Sequence, residues 1–288
     1  MNDTIDLHLK SLLGERNIDR RAFVLTSLGA GFAMAVMPVT AQTITTSAEG
    51  LTAGEVRVKT KDGEMPAYRA MPATGGGFPV ILVVHEAFGV HEHIKDICRR
   101  LAKNGYFAIA PELFARQGDP SKYTDIPKLM SEVIAKVPDA QIDGDLDACV
   151  AYAKTTGKAE TARLGITGFC WGGRTVVMYA AHNPNVKAAV SWYGPPRAFH
   201  EGDKTPLDVA SQIKAPVLGL YGGADTGIPK DAIEKMFAAL KSAGNTKSEF
   251  TIYPDTPHAF NADYRPSYRK QPAEDAWNKM LAWFKLNL

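Results

Sequence analysis

From Pro79 onward the chain alternates two textures. Short, nearly continuous apolar runs at 80–84, 106–110, 164–167, 188–192 and 217–221 carry the signature of strands buried on both faces. Between them, residues 93–104, 126–135, 142–156, 172–182, 230–243 and 273–285 repeat apolar positions at helical spacing. Upstream, 55–60 and 66–70 alternate polar with apolar residues around Lys61-Asp62-Gly63, as half-buried antiparallel strands do. A final run, 248–253, reads as a last strand. Strand–helix alternation implies right-handed crossovers, so the pattern predicts an α/β fold: one domain, with about eight strands in a mostly parallel sheet and helices on both faces. In such open sheets ligands bind beyond the carboxyl ends of the strands.

The 288 residues exceed the average domain, yet α/β domains of that order form single cores, so only a short extra piece needs explaining. That piece is N-terminal. Arg20-Arg21 precedes an almost uncharged stretch to Val39, followed by Val39-Thr40-Ala41-Gln42. Residues 1–41 read as a twin-arginine signal peptide cleaved after Ala41, which makes the export machinery a partner and the periplasm the destination. An anchored helix is the alternative, since the stretch has roughly the length that spans a bilayer. Gly29, Gly31, Thr26 and Ser27 favour the cleaved signal, so no stable membrane anchor is expected. Residues 42–53 then form a polar linker and 54–288 the folded domain.

Charge changes the picture little. Residues 1–41 hold four basic and four acidic side chains, so the net charge of +2 survives their removal. A balance that near neutral, without a basic run, gives no electrostatic case for nucleic acid or an anionic membrane surface. Three cysteines without CxxC spacing argue against a disulfide framework. Cys98 and Cys149 fall in helical apolar patterns and read as small buried hydrophobes.

Cys170 is different. Gly168-Phe169-Cys170-Trp171-Gly172 follows one predicted strand directly and opens the next helix. A sharp strand–turn–helix connection forces its central residue into a strained conformation, and glycine two positions away on each side leaves room for strand and helix to approach. The cysteine then projects at a helix N-terminus, where the dipole and free N–H groups favour thiolate over thiol. The N–H of Trp171 points into the same space and could hold an oxyanion.

Enzymes with this turn place an acid and then a histidine downstream. Asp225 follows the run 217–221, and His258 follows 248–253 in Pro254-Asp255-Thr256-Pro257-His258, so both sit on the carboxyl edge with Cys170. An imidazole to move the proton and a carboxylate to orient it complete a nucleophilic triad. Asp255 is the competing carboxylate.

The cysteine elbow, with His85-Glu86-Ala87-Phe88-Gly89 after an early strand and Pro111-Glu112-Leu113-Phe114 after the next, resembles the dienelactone hydrolase (carboxymethylenebutenolidase) family of the α/β-hydrolase fold, from about residue 55 to the end. The resemblance implies a Cys170, Asp225, His258 triad hydrolysing small-molecule ester or lactone bonds through a thioester. It also implies Glu86 as an additional functional acid that contacts the resting cysteine, and the Ala87 N–H as second oxyanion donor. No cofactor is needed. Arg116 matches an arginine that binds the substrate carboxylate, while Tyr123 and Trp192 are candidates to line the pocket, with packing as their alternative. The chain departs from better-known members in carrying Ala262 where they have a second arginine four residues after the histidine; Arg265 follows three residues later. Esterase or thioesterase action on neutral substrates, and a non-catalytic binding protein of the same fold, are therefore the competing readings. His85, His91, His93 and Glu92 raise a metal site, but His91 and His93 fall on different helix faces, so no metal is expected.

Overall fold

The computed structural model describes residues 44–199 and 203–288; the expected signal peptide, 1–41, lies outside them. The apolar runs become strands β3 (Phe78–Val84), β4 (Phe107–Pro111), β5 (Ala159–Phe169), β6 (Val186–Trp192) and β7 (Val217–Gly222), with β8 (Glu249–Tyr253) at the edge. The helical stretches become α1 (Glu92–Lys103), α2 (Ile126–Glu132), α3 (Asp139–Thr155), α4 (Trp171–His182), a one-turn α5 (Pro206–Val209), α6 (Lys230–Ser242) and α7 (Lys270–Asn287). Strands β1 (Leu51–Thr60) and β2 (Gly63–Pro72) form the expected antiparallel hairpin.

All eight strands share one sheet in the order β1-β2-β4-β3-β5-β6-β7-β8. β2 joins β4 antiparallel, and every pairing from β4 to β8 is parallel. Right-handed crossovers that first step from β3 outward to β4, and later from β5 outward to β6, must lie on opposite faces of the sheet. Contacts between helices agree: Arg100 of α1 lies over Trp277 of α7 at 5.7 Å, and Tyr179 of α4 donates to Asp147 of α3 at 2.8 Å. The central strands are therefore covered twice, and Val80 to Val84 are fully buried. Removing a Val or Leu side chain from water contributes roughly 1.5–3 kcal/mol each.

β1 begins at Leu51, inside the stretch expected as linker. The residues before it are held: Ile44 N–H donates to Asp263 and Thr46 N–H to Asp96, while Arg99 donates to the Thr46 carbonyl. Those partners lie far along the chain, beyond the reach of a reading by local composition.

The strand order reverses between β3 and β5, and there Val84 pairs with Gly168. A crevice opens at such a reversal because the connections leave in opposite directions. Glu86 follows β3 and Cys170 follows β5, so the topology sets these two chain segments side by side.

Candidate active site

Cys170 joins β5 to α4 at φ 55°, ψ −115°, backbone that a side chain rarely adopts and that costs of order 1–3 kcal/mol. Its N–H donates to the Trp192 carbonyl at 3.0 Å, and its own carbonyl accepts from Gly173 at 2.9 Å, so β6 and α4 hold it in place. The flanking glycines are sterically required. A Cβ on Gly168 would sit 2.5 Å from the Gly172 carbonyl oxygen, and one on Gly172 would sit 2.5 Å from those of Val84 and His85. Cys170 is 1% exposed, and all three cysteines are free thiols. Burial pushes the Cys98 and Cys149 thiols well up, leaving them inert in the core.

His258 enters from the loop after β8, a loop bent through Asp255 and Ala259, both at positive φ. Its Nδ1 meets Asp225 Oδ2 at 2.5 Å; the other carboxylate oxygen accepts from Gly227 N–H at 2.9 Å. Asp225, not Asp255, is thus the histidine's carboxylate. Burial alone would lower the imidazole's pKa, but the charges of Asp225 and Cys170 outweigh it and push it up to about 10. The Nε2 atom is buried without a partner at hydrogen-bond geometry, although Cys170 lies close enough to act on the ring's protonation. This leaves Nε2 available to a reacting group.

Glu86 is 1% exposed. The Tyr264 hydroxyl donates to its Oε2, and His91 Nε2 stands 3.7 Å from the same oxygen. The Arg265 guanidinium spans the rings of Phe88 at 4.8 Å and Tyr264 at 5.3 Å. Burial would raise the Glu86 carboxyl, yet the charge of Arg265 and the contact with His91 hold it well below the usual carboxylate range. Glu86 Oε1, Arg265 Nε and Nη2, and the Tyr193 hydroxyl are all buried without hydrogen-bond partners. Tyr193 meets the His258 ring edge-on at 5.0 Å. Buried polar atoms are normally paired, so this group of orphans marks a place built for something else to bind.

Two buried amides complete the arrangement. The N–H groups of Ala87 and Trp171 donate to no group among the described residues. Ala87 is fully buried and Trp171 2% exposed.

The three expected substrate contacts have protein neighbours of their own. Arg116 donates through both terminal nitrogens to Asp145, at 2.7 and 2.9 Å, and also to Thr60, with Asp62 at 3.6 Å. Its terminal nitrogens are thus committed to Asp145 and Thr60. Tyr123 lies beside Gly118 and Glu132 after Pro120–Lys122. Trp192 is fully buried between Phe169 and Phe260 and serves as packing beneath the site. The next residue, Tyr193, is the one that reaches the histidine. Sequence reasoning missed Tyr193, Tyr264 and the role of Arg265; position just past a strand's carboxyl end was the available signal for the first. The histidines near α1 are separately engaged: His85 with Leu113 and Glu86, His91 with Glu86, and His93 with Asp263. Among the described residues no group of three or more His, Cys, Asp or Glu side chains could hold a metal ion. No helix among them is long and apolar enough to cross a membrane.

The family model described as "Dienelactone hydrolase family" matches residues 65–288. A "Putative carboxymethylenebutenolidase" of Methylorubrum extorquens is 61% identical, the alignment covering 97% of each chain. One of the same name from Escherichia coli K12 is 51% identical over 90% of this chain and 96% of its own. A crystal structure titled as a putative dienelactone hydrolase from Klebsiella pneumoniae is 52% identical and superposes with a TM-score of 0.79, covering 82% of this chain and 98% of that one.

Proposed function

The chain belongs to the dienelactone hydrolase family and is a hydrolase, and from that premise we propose that it cleaves carboxylic ester or lactone bonds of small molecules with Cys170 as nucleophile. One observation carries the reading. His258, fixed to Asp225 at 2.5 Å, keeps a buried, unpartnered Nε2 beside Cys170. That is the arrangement of a proton-transferring imidazole next to a nucleophile.

In the proposed cycle the Cys170 thiolate attacks the carbonyl carbon, and the new oxyanion accepts from the Ala87 and Trp171 N–H groups. Collapse of the tetrahedral adduct breaks the C–O bond; the leaving oxygen takes the proton held by His258, and a thioester remains. Water then gives a proton to His258, its oxygen attacks the thioester, and the carboxylic acid departs as the C–S bond breaks and the thiolate returns. Asp225 holds the imidazole's tautomer and balances its charge. Atoms and charge balance without a cofactor.

Arg265 favours substrates that carry a carboxylate: its Nε and Nη2 have no partner, and a guanidinium matches that planar anion. It is the arginine that sequence spacing left unassigned. Action in the periplasm, after twin-arginine export directed by residues 1–41 as a cleaved signal, belongs to the same proposal, and cell fractionation checks it.

Replacing Cys170 by Ala is expected to abolish hydrolysis of both dienelactone and p-nitrophenyl acetate. Retained turnover overturns the assignment. Slow alkylation of the wild-type thiol by iodoacetamide at neutral pH would favour a binding protein instead.

A further inference from the structure

We propose that His85 is a positioning residue for the oxyanion site, fixing the peptide between Glu86 and Ala87 so that the Ala87 N–H stays turned toward the reacting carbonyl. The proposal rests on the hydrolase reading above.

The two contacts of the ring fix its tautomer. The backbone N–H of Leu113, just past β4, reaches His85 Nε2 at 3.2 Å. A peptide N–H can only donate, so Nε2 must accept, and the ring proton resides on Nδ1. That Nδ1–H then donates to the Glu86 carbonyl at 2.6 Å. A trans peptide is planar, with C=O and N–H directed oppositely. Holding the Glu86 carbonyl toward the imidazole therefore aims the Ala87 N–H the other way. That amide is buried and has no partner among the described residues, as expected for a donor reserved for a ligand. Were the peptide to flip, the Glu86 carbonyl would face the oxyanion and repel it.

The imidazole is itself immobilised. It is fully buried, stacked on Trp171 at 5.5 Å with 14° between planes, and met edge-on by Phe114 at 4.6 Å. Trp171 supplies the other oxyanion N–H, so one aromatic stack steadies both donors. The neighbouring charge is Glu112, whose Oε1 stands 3.6 Å from Nε2. Its Oε2 accepts from Val90 N–H at 2.7 Å, in a turn where Gly89 adopts φ 73° and a Cβ would lie 2.8 Å from the carboxylate. Glu112 thus belongs to the turn rather than to the ring. The approach of Gly172 to the carbonyls of Val84 and His85 keeps the whole segment pressed on the elbow.

Two isosteric substitutions separate the ring's two bonds. The Asn amide lies where Nδ1 lies, so His85→Asn keeps a donor for the Glu86 carbonyl and gives up the Leu113 contact. The Gln amide lies nearer Nε2, so His85→Gln does the reverse. His85→Leu removes both. On p-nitrophenyl acetate, Leu and Gln variants are expected to lose about 10²-fold in kcat with KM within about threefold, the scale of one oxyanion donor, while the Asn variant stays within about fivefold of wild type. Alkylation of Cys170 by iodoacetamide, which forms no oxyanion, is expected to stay within about twofold in all three.

The proposal is overturned if the Asn and Gln variants have equal kcat, if His85→Leu turns over within threefold of wild type, or if alkylation slows in step with kcat. Should the Leu variant fail to fold, the Asn and Gln pair decides alone. Failure of the underlying hydrolase reading shows separately, as turnover that survives Cys170→Ala.

Discussion

Asp263, Tyr264 and Arg265 are consecutive, yet they serve two regions that differ in polar satisfaction. On the α1 side, both oxygens of Asp263 are engaged, by His93, Arg100 and the Ile44 amide. Asp96 likewise accepts from Arg99, Arg100 and Thr46, and Arg99 also reaches Glu92 and Tyr68. One residue further, Tyr264 and Arg265 turn toward the elbow, where Glu86, Arg265, Tyr193 and His258 each keep a buried atom without a partner. A carboxylate whose oxygens are all engaged holds a structure together, whereas a buried polar atom without a protein partner bears a desolvation cost of about 1–3 kcal/mol that a ligand or bound water offsets. Unpartnered buried atoms also occur singly in the scaffold, at His93 Nε2, Arg69 Nε and Trp283 Nε1, so what separates the site is their clustering around one nucleophile.

That contrast can be attacked from either region. The largest effect is expected at the triad. Asp225→Asn should lower kcat by about 10³–10⁴-fold while the fold persists, as checked by steady-state kinetics and circular dichroism. The same variant should bring the His258 titration, followed by NMR, down from about 10. Because that pKa is raised on folding, the stability it contributes is full below the ordinary histidine value of about 6.5 and is lost as pH rises through 10. An unchanged titration would detach Asp225 from the imidazole.

Asp263→Asn probes the saturated side. Breaking a buried ion pair costs about 3–5 kcal/mol, so thermal unfolding should begin roughly 10 °C lower, with kcat on p-nitrophenyl acetate little altered at 25 °C. A kinetic collapse without loss of stability would show that the two regions are not separate. The smallest effect is the most selective. Arg265→Met should lower kcat/KM about 10–100-fold for a carboxylated lactone and leave p-nitrophenyl acetate within about threefold. Equal losses on both substrates would return Arg265 to the scaffold.

Most of the architecture was legible in the chain because central parallel strands are apolar on both faces and need no partner's identity to declare themselves. The hairpin β1–β2 showed its alternation only in part, and the segment leading into it read as linker because the contacts of Ile44 and Thr46, to Asp263 and Asp96, lie on distant elements. Cys170, Asp225 and His258 could be named because each follows a strand's carboxyl end, where topology delivers it to one edge, while Glu86 was named through the family resemblance.

What the sequence determined by itself was therefore the sheet, its carboxyl edge, and the glycine-flanked turn that places a thiol there, all consequences of local pattern and sterics. Which polar groups stay unsatisfied was decided only by the tertiary structure. Arg116 carries the right charge at a plausible position, yet Asp145, 29 residues away, occupies its donors. Arg265 has no motif around it and emerges with donors to spare. Trp192 looked like the aromatic at the site, but it packs beneath the elbow and Tyr193 takes the place beside the histidine. Satisfaction is a property of contacts between distant segments, and folding sets those distances.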